Sequence, residues 1–333
     1  MPYFIADHLH HSSHHKPSLL IQWHCLMINS DFCLVKLDRY MQELIVYESE
    51  VQNAPLIDSF MPVHIVGSSN GLLCLEFSNS ILFWNPATTE TRLDLDSVPV
   101  ANDYKVVIIY VIQEDDVYRV NRVQVYSVST KSWKKVEFGN LEGLCVSSES
   151  VAANGAVFWY GFNGDEDEFE LDCYRLIVSF DIANEVFTLM PVPDLDYGEP
   201  QKLTVYENNL AMLCNIRPEE SEDYEYDCID LWVMEEATSK TGERWSWANK
   251  YTSSPFRGLI RLEPMAIWRN EIVCEARLKF NNKNDETKVD LCLLNVTTSE
   301  LEWFDINKYS TFYRMLNHVE SLVSIGNVLV QDP

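Results

Sequence analysis

Apolar residues in this chain fall in short runs of about five to nine, rich in Val, Ile, Leu, Tyr, Trp and Phe, with polar turn residues between them. Such runs predict strands over Ser18 to Cys25, Phe32 to Asp38, Glu43 to Glu48, Lys105 to Ile112, Arg122 to Val128 and Val289 to Val296. Helical periodicity is rare; a short helix over Phe4 to His10 is the best candidate. Turn chemistry separates the runs at Asn79-Ser80, Asn85-Pro86, Ser129-Thr130, Asn154-Gly155, Asn208-Asn209 and Arg269-Asn270. The pattern is all-β, and many short strands with regular turns point to a sandwich or a barrel-like closed architecture.

Two elements repeat. The first is an Asn at a tight turn leading into a buried strand: Asn70-Gly-Leu-Leu-Cys-Leu-Glu, Asn154-Gly-Ala-Val-Phe-Trp-Tyr, Asn208-Asn-Leu-Ala-Met-Leu-Cys and Asn270-Glu-Ile-Val-Cys-Glu-Ala. Asn and Gly tolerate the left-handed backbone that a two-residue hairpin needs. The second is a strand, a polar turn and another apolar strand. It appears as Ile81-Leu-Phe-Trp-Asn-Pro-Ala-Thr-Thr-Glu-Thr-Arg-Leu and Val123-Gln-Val-Tyr-Ser-Val-Ser-Thr-Lys-Ser-Trp-Lys-Lys-Val. Later copies are Ile177-Val-Ser-Phe-Asp-Ile-Ala-Asn-Glu-Val-Phe-Thr-Leu, Ile229-Asp-Leu-Trp-Val-Met and Leu291-Cys-Leu-Leu-Asn-Val-Thr-Thr-Ser-Glu-Leu-Glu-Trp.

The copies recur about every 40 to 60 residues, the period of propeller blades. Five are visible, and a sixth can be assembled from the strands before residue 50 and the tail run Val319 to Ile325. A β-propeller of about six blades follows, its ring closed by N- and C-terminal strands. Two packed β-sandwiches with look-alike hairpins are the alternative.

Charge changes the list of partners. Of 333 residues 51 are acidic and 25 basic, a formal net charge of -26. Such a surface repels phosphate backbones and anionic lipid, which argues against nucleic acid and membrane and for a basic protein; a purely solubilising role is the alternative. The nine cysteines include no C-x-x-C spacing, and most sit in apolar runs, so they read as free thiols of a reducing compartment. With no signal-peptide pattern and no apolar stretch near 18 residues, the expected location is cytoplasm or nucleus.

Gly67-Ser-Ser-Asn-Gly-Leu-Leu-Cys-Leu, Leu82-Phe-Trp-Asn-Pro-Ala-Thr-Thr-Glu and Tyr104-Lys-Val-Val together resemble the signature of the F-box-associated domain of plant F-box/kelch-repeat proteins. The segments Val123 to Phe138 and Ala153 to Tyr160 fit the same domain, and S-locus F-box proteins of pollen self-incompatibility are a possible subgroup. The resemblance covers roughly residues 60 to 306. It implies a kelch-like propeller that recognises the substrate of an SCF-type ubiquitin ligase, while an F-box binds the Skp-type adaptor. The F-box itself, with its Leu-Pro start and Cys-Lys-Ser-Trp end, is missing from this sequence, and Pro2 to Leu9 resembles the segment that follows it. The expected layout is therefore 1–17 as the remnant of that segment and 18–333 as the propeller. Adaptor binding is expected only if an F-box is restored.

Candidate chemistry is sparse. His8, His10, His11, His14 and His15 have spacings that could put imidazoles on one helical face, but nothing completes a ligand set, so no metal and no cofactor is expected. Acidic runs at Asp115-Asp116, Asp165 to Glu170 and Glu219 to Asp227 lack calcium-loop spacing. Solvated loops are their plain reading; as a functional reading the two with interleaved aromatics are interaction loops. Asp165, Glu166, Asp167, Glu168, Glu219, Glu220, Glu222 and Asp223 are the candidate partner-binding residues. No catalytic residues are assigned: Gly-x-Ser-x-Gly and phosphate-loop glycines are absent, and His24 and Cys25 should point to opposite faces of a strand. The tryptophans at 84, 133, 159, 232, 245, 247 and 303 read as core. The expectation is a protein-interaction module and not an enzyme; a propeller enzyme acting on glycans and a non-functional F-box gene remnant are the alternatives.

Overall fold

The structure is a computed structural model, described for residues 18–24, 30–38, 43–47, 64–69, 72–77, 80–84, 104–114, 117–163, 174–195, 198–216, 226–236, 245–257, 260–269, 271–278, 289–304, 312–318 and 328–331. These residues are overwhelmingly β. In chain order the strands are β1 (Ser18–His24), β2 (Ser30–Asp38), β3 (Glu43–Tyr47), β4 (His64–Ser69), β5 (Leu72–Phe77), β6 (Ser80–Trp84), β7 (Lys105–Glu114), β8 (Val117–Ser127) and β9 (Ser132–Lys135). They continue as β10 (Cys145–Ala153), β11 (Ala156–Asn163), β12 (Tyr174–Asp181), β13 (Val186–Pro191), β14 (Gly198–Tyr206), β15 (Asn209–Ile216), β16 (Tyr226–Glu236) and β17 (Trp245–Thr252). The last are β18 (Phe256–Arg257), β19 (Ile260–Trp268), β20 (Glu271–Leu278), β21 (Val289–Asn295), β22 (Leu301–Phe304), β23 (Phe312–His318) and β24 (Val328–Gln331).

Six antiparallel sheets result. Five contain a path of four strands: β23-β1-β2-β3 (first), β24-β6-β5-β4 (second), β10-β11-β12-β13 (fourth), β14-β15-β16-β17 (fifth, with β18 added to β16) and β19-β20-β21-β22 (sixth). The third sheet, β7-β8-β9, has three. The protein is a β-propeller with five four-stranded blades among the described residues, against the about six read from the sequence. The remaining repeat is the three-stranded sheet. Its β8–β9 hairpin carries the same turn as the third-to-fourth hairpins elsewhere, so β7 to β9 match the second to fourth strands of a blade. Consistently, β4 and β10, the first strands on either side of it, neighbour each other directly.

Why these segments form blades is visible in the alternation of side chains. Along β15, Leu210, Met212 and Cys214 pack toward the fourth sheet, and Ala211 and Leu213 toward the sixth. In β11 and β12, Trp159, Val178 and Phe180 face the third sheet, while Phe158 and Ile177 face the fifth. Leu72, Ile81 and Phe83 of the second sheet meet Val106 and Tyr126 of the third. Each core thus lies between sheets. A strand buried on both faces needs an unbroken apolar run, which is what the sequence shows.

Polar ties cross the same seams. Asn140 Nδ2 donates to the Phe187 carbonyl (2.9 Å), Asn154 Nδ2 to Asn209 Oδ1 (2.9 Å), Trp247 Nε1 to the Pro191 carbonyl (2.9 Å), and the Tyr251 hydroxyl meets Ser299 Oγ (2.9 Å).

The two repeated sequence elements are two kinds of turn. Asn154 (φ 47°) with Gly155 (φ 76°), Glu207 (φ 48°) with Asn208 (φ 66°), and Arg269 (φ 51°) sit between the first and second strands of the fourth, fifth and sixth sheets. Between third and fourth strands, Asp181 Oδ1 accepts the N–H of Ala183 and Asn184, and Asn295 Oδ1 accepts that of Thr297 and Thr298. Ser127 Oγ accepts the N–H of Thr130. Four residues after each acceptor comes a left-handed residue: Glu185 (φ 56°), Ser299 (φ 57°) and Lys131 (φ 52°). Asn295 thus uses its side-chain oxygen to hold its own turn.

At the N-terminal end β1 is antiparallel to β23, the last strand but one, with Leu20 opposite Leu316 and Ser18 opposite His318. The tail run proposed for this role, 319–325, lies outside the described residues, as does the helix proposed at 4–10. The strand that serves is the one just upstream. Cys214, Cys228, Cys274 and Cys292 are buried thiols, and Cys74 and Cys145 are half-buried thiols. Among the described residues, no helix is long and apolar enough to cross a membrane.

The tryptophans divide. Trp84, Trp159 and Trp268 are buried, whereas Trp245 and Trp303, on outermost strands, are 37% and 42% exposed. For those two the core reading is corrected: an outermost strand has no neighbouring strand beyond it to cover its outer residues.

A candidate protein-recognition face

Antiparallel order sends first and third strands of every sheet one way and second and fourth the other. The first-to-second and third-to-fourth turns therefore emerge at one end of the sheets. That end carries the tight turns just described, together with three longer connections: 85–104 between β6 and β7, 237–244 between β16 and β17, and 319–327 between β23 and β24. At the other end, second strands lead into third strands. There Asn163 is joined to Tyr174, Ile216 to Tyr226 and Leu278 to Val289, by segments 164–173, 217–225 and 279–288 of three consecutive sheets.

The eight carboxylates assigned from the sequence, Asp165, Glu166, Asp167, Glu168, Glu219, Glu220, Glu222 and Asp223, belong to the first two of these segments and lie outside the described residues. So do Asp115, Asp116 and the histidines at 8, 10, 11, 14 and 15. What the fold settles is which strand ends they connect: neighbouring sheets, same end.

The innermost strands share a second feature. β4, β10, β14, β19 and β23 neighbour one another across the sheets, and each departs from regular pairing at a corresponding place. Val66 is extra in β4, Gln201 in β14, Met265 in β19 and Tyr313 in β23. In β10 the three residues Ser147 to Glu149 oppose Tyr160 alone. A bulge re-aims side chains and interrupts pairing, and it is a common device beside binding sites.

The β10 bulge has polar surroundings. Ser147 Oγ donates to the Glu149 carbonyl at 3.0 Å, which stiffens it. Lys202 Nζ, from the bulge of β14, donates to Glu149 Oε2 at 2.5 Å. The lysine side chain is 15% exposed and the glutamate 43%, so the carboxylate is the part that remains open to solvent. Behind it the Tyr160 hydroxyl is buried without a hydrogen-bond partner among the described residues. Burial foremost, then Cys214 and Glu149, raise its pKa, and Arg175 works in the opposite direction. The Cys214 thiol is pushed up to about 12, chiefly by burial and then by the Asp230 carboxylate. A thiol held protonated in this way is packing, not a nucleophile.

Of the residues in these bulges, Glu149 is the single carboxylate. Glu149, Lys202 and Tyr160 were not singled out in the sequence. The polar run Ser147-Ser148-Glu149-Ser150 inside a strand was the available signal for the first. Lys202 had none, because its partner is 53 residues away.

Comparison with known proteins agrees with the geometry. The family described as the F-box associated beta propeller domain matches residues 37–257. An F-box/kelch-repeat protein of Arabidopsis thaliana is 25% identical over 224 residues, covering 60% of this chain and 58% of the relative. An F-box protein of the same plant is 23% identical over 243 residues, covering 66% and 57%. A second F-box/kelch-repeat protein is 22% identical over 223 residues, covering 62% and 56%. The chain thus spans somewhat over half the length of these relatives. Among solved structures, that of YjhT is similar over 82% of this chain and 91% of its own, with a TM-score of 0.31 and 10% identity. On the family match, which takes in two thirds of its residues, this chain belongs to the F-box associated beta propeller domains.

Proposed function

We propose that this chain is the substrate-recognition part of an F-box protein, holding a basic protein partner for an SCF-type ubiquitin ligase. The observation that carries the reading is that three consecutive sheets send their second-to-third connections, of contrasting charge, to the same end. Segment 164–173 has six carboxylates and no basic residue, 217–225 has five carboxylates and one arginine, and 279–288 has three lysines and two carboxylates. A partner surface with a basic patch toward the fourth and fifth sheets fits this arrangement. Opposed fields of this kind speed encounter and fix orientation. The glycan-enzyme alternative calls for paired carboxylates along the axis, whereas the one carboxylate in the innermost bulges already carries Lys202.

The test is affinity capture from a plant extract with the unaltered chain and with a variant reversing Asp165, Glu166, Asp167, Glu168, Glu219, Glu220, Glu222 and Asp223 to Lys. Proteins bound by the first and lost from the second, and themselves ubiquitylated when the chain is joined to an F-box, support the reading. Identical captured sets would remove the acidic segments from it. Cytoplasm or nucleus is the proposed location, checked by imaging a fluorescent fusion.

A further inference from the structure

One row of residues crosses the sixth sheet from its innermost to its outermost strand. Pro264 of β19 stands opposite Cys274 of β20, Cys274 opposite Cys292 of β21, and Cys292 opposite Trp303 of β22. Both cysteines sit on the face turned to the fifth sheet, in one core with Leu213 and Leu231. Among the described strand pairs, β20–β21 is the one that sets cysteine against cysteine.

The backbone already suits a bond between them. Directly opposite residues of an antiparallel pair have Cα atoms about 4.5 or 5.5 Å apart, and a disulfide spans Cα separations of roughly 4.4–6.8 Å. Closure therefore asks for side-chain rotation and no change of register. The two thiols already interact: burial first, and then the hydrogen bond with Cys292, raise the Cys274 pKa. Cys274 is the member that keeps its proton.

Both cysteines are 0% exposed, so reaction depends on an opening, and the row shows where it lies. β22 has four residues and forms the outer edge of the sheet, and Trp303 on it is 42% exposed. Short edge strands open at low free energy. When β22 lifts away, Cys292 meets solvent first and Cys274 stays one strand behind.

We propose that Cys274 and Cys292 are a site of reversible covalent modification, closed to a disulfide by hydrogen peroxide. The Cys292 sulfur attacks one peroxide oxygen with an electron pair, and the O–O bond breaks. The departing hydroxide takes the thiol proton as water, leaving a sulfenic acid. The Cys274 sulfur then displaces hydroxide from the sulfenic sulfur, and that hydroxide takes the Cys274 proton as a second water. Two thiols are oxidised and one peroxide is reduced to two waters. A thiol reductant reopens the bond by exchange. The proposal is independent of the recognition role.

Its test treats the folded, reduced full chain with hydrogen peroxide. Remaining thiols are blocked with iodoacetamide in denaturant, and disulfides are mapped by mass spectrometry. Arg277, Lys279, Lys283 and Lys288 lie between the two cysteines, so trypsin leaves them on separate peptides. The expected result is a 274–292 link as the main disulfide, in chains that keep cooperative unfolding, and its loss on adding dithiothreitol. Trp303→Ala strips the cover at the sheet edge and should form the link several-fold faster.

Three results would overturn the proposal. One is a folded, peroxide-treated chain in which Cys274 and Cys292 stay reduced. Another is a 274–292 link that forms only in urea. The last is either cysteine joined chiefly to a different one. An unchanged rate in Trp303→Ala would overturn the route past β22.

Discussion

Lys105 Nζ lies 2.8 Å from Glu185 Oε1 and 3.0 Å from the Ile182 carbonyl oxygen, so the start of β7 in the third sheet is fastened into the β12–β13 turn of the fourth. Lys134 from β9 reaches the other oxygen, Glu185 Oε2, at 2.5 Å. A sheet of three strands is thereby held by the turn of its four-stranded neighbour. Glu185 also stands in the left-handed region, a conformation costly for a residue with a side chain.

The two ammonium groups hold the Glu185 carboxyl below its ordinary value of 4.5, mainly through the hydrogen bond from Lys105 and then that from Lys134. The folded chain therefore gives up this proton more readily than the unfolded chain. The stabilisation is complete above the ordinary carboxylate range and is lost as pH falls through the folded value. Glu185→Gln should lower stability by about 1 kcal/mol at pH 7, and the gap from the unaltered chain should narrow as pH falls below the ordinary carboxylate range. Thermal melts from pH 7 to pH 3 read this; a gap that persists at the acid end would show that the ion pairs are not its source.

The fourth and fifth sheets make the same turn with different residues, Asn154-Gly155 in one and Glu207-Asn208 in the other. Asn-Gly suits two successive positive φ values better than Glu-Asn does. Replacing Glu207 and Asn208 with Asn and Gly should raise stability by about 1 kcal/mol. Chemical denaturation will show it as a higher midpoint with unchanged slope.

Gly161 is a packing position rather than a conformational one. A Cβ there would come within 2.6 Å of Leu176 Cδ1 and 3.0 Å of Val178 Cγ2. Gly161→Ala should cost about 1–3 kcal/mol by overpacking. Adding Leu176→Ala removes the closer contact, so the double variant should lose less than the sum of the two single losses. Strict additivity in that cycle would disprove the clash.

Asp230 is 4% exposed and binds the β16–β17 pair through its carboxylate. It accepts from Thr252 Oγ1 at 2.6 Å, Asn249 Nδ2 at 3.0 Å and Trp232 Nε1 at 3.3 Å. Asp230→Ala strands these donors and should cost about 3 kcal/mol, with Asp230→Asn costing about half as much. Equal stability of the two variants by urea titration would mean that the network is not what matters at this position.

The strands were legible because burial on both faces leaves unbroken apolar runs, as Leu210 to Cys214 shows. Both turn types were legible too, since Asn154, Asp181 and Asn295 act within a few residues of themselves. What could not be read depends on distance along the chain. Glu149 and Lys202 meet only because two innermost strands bulge side by side, and β24 reaches β6 across almost the whole sequence. The strand count of the third sheet, and so the number of four-stranded blades, also depends on pairing that no local pattern encodes. The acidic segments were conspicuous as composition, but only the order of strands told which end they join.

The pairing of β1 with β23 has a consequence for how the molecule is made. During synthesis β1 leaves the ribosome with a bare edge, and its partner follows nearly 300 residues later. At ~5–20 residues per second that delay is about 15 to 60 s. Throughout it the nascent chain displays an unsatisfied strand, so a premature stop before Phe312 would yield a product open to sticking to other chains, one that quality control has reason to remove.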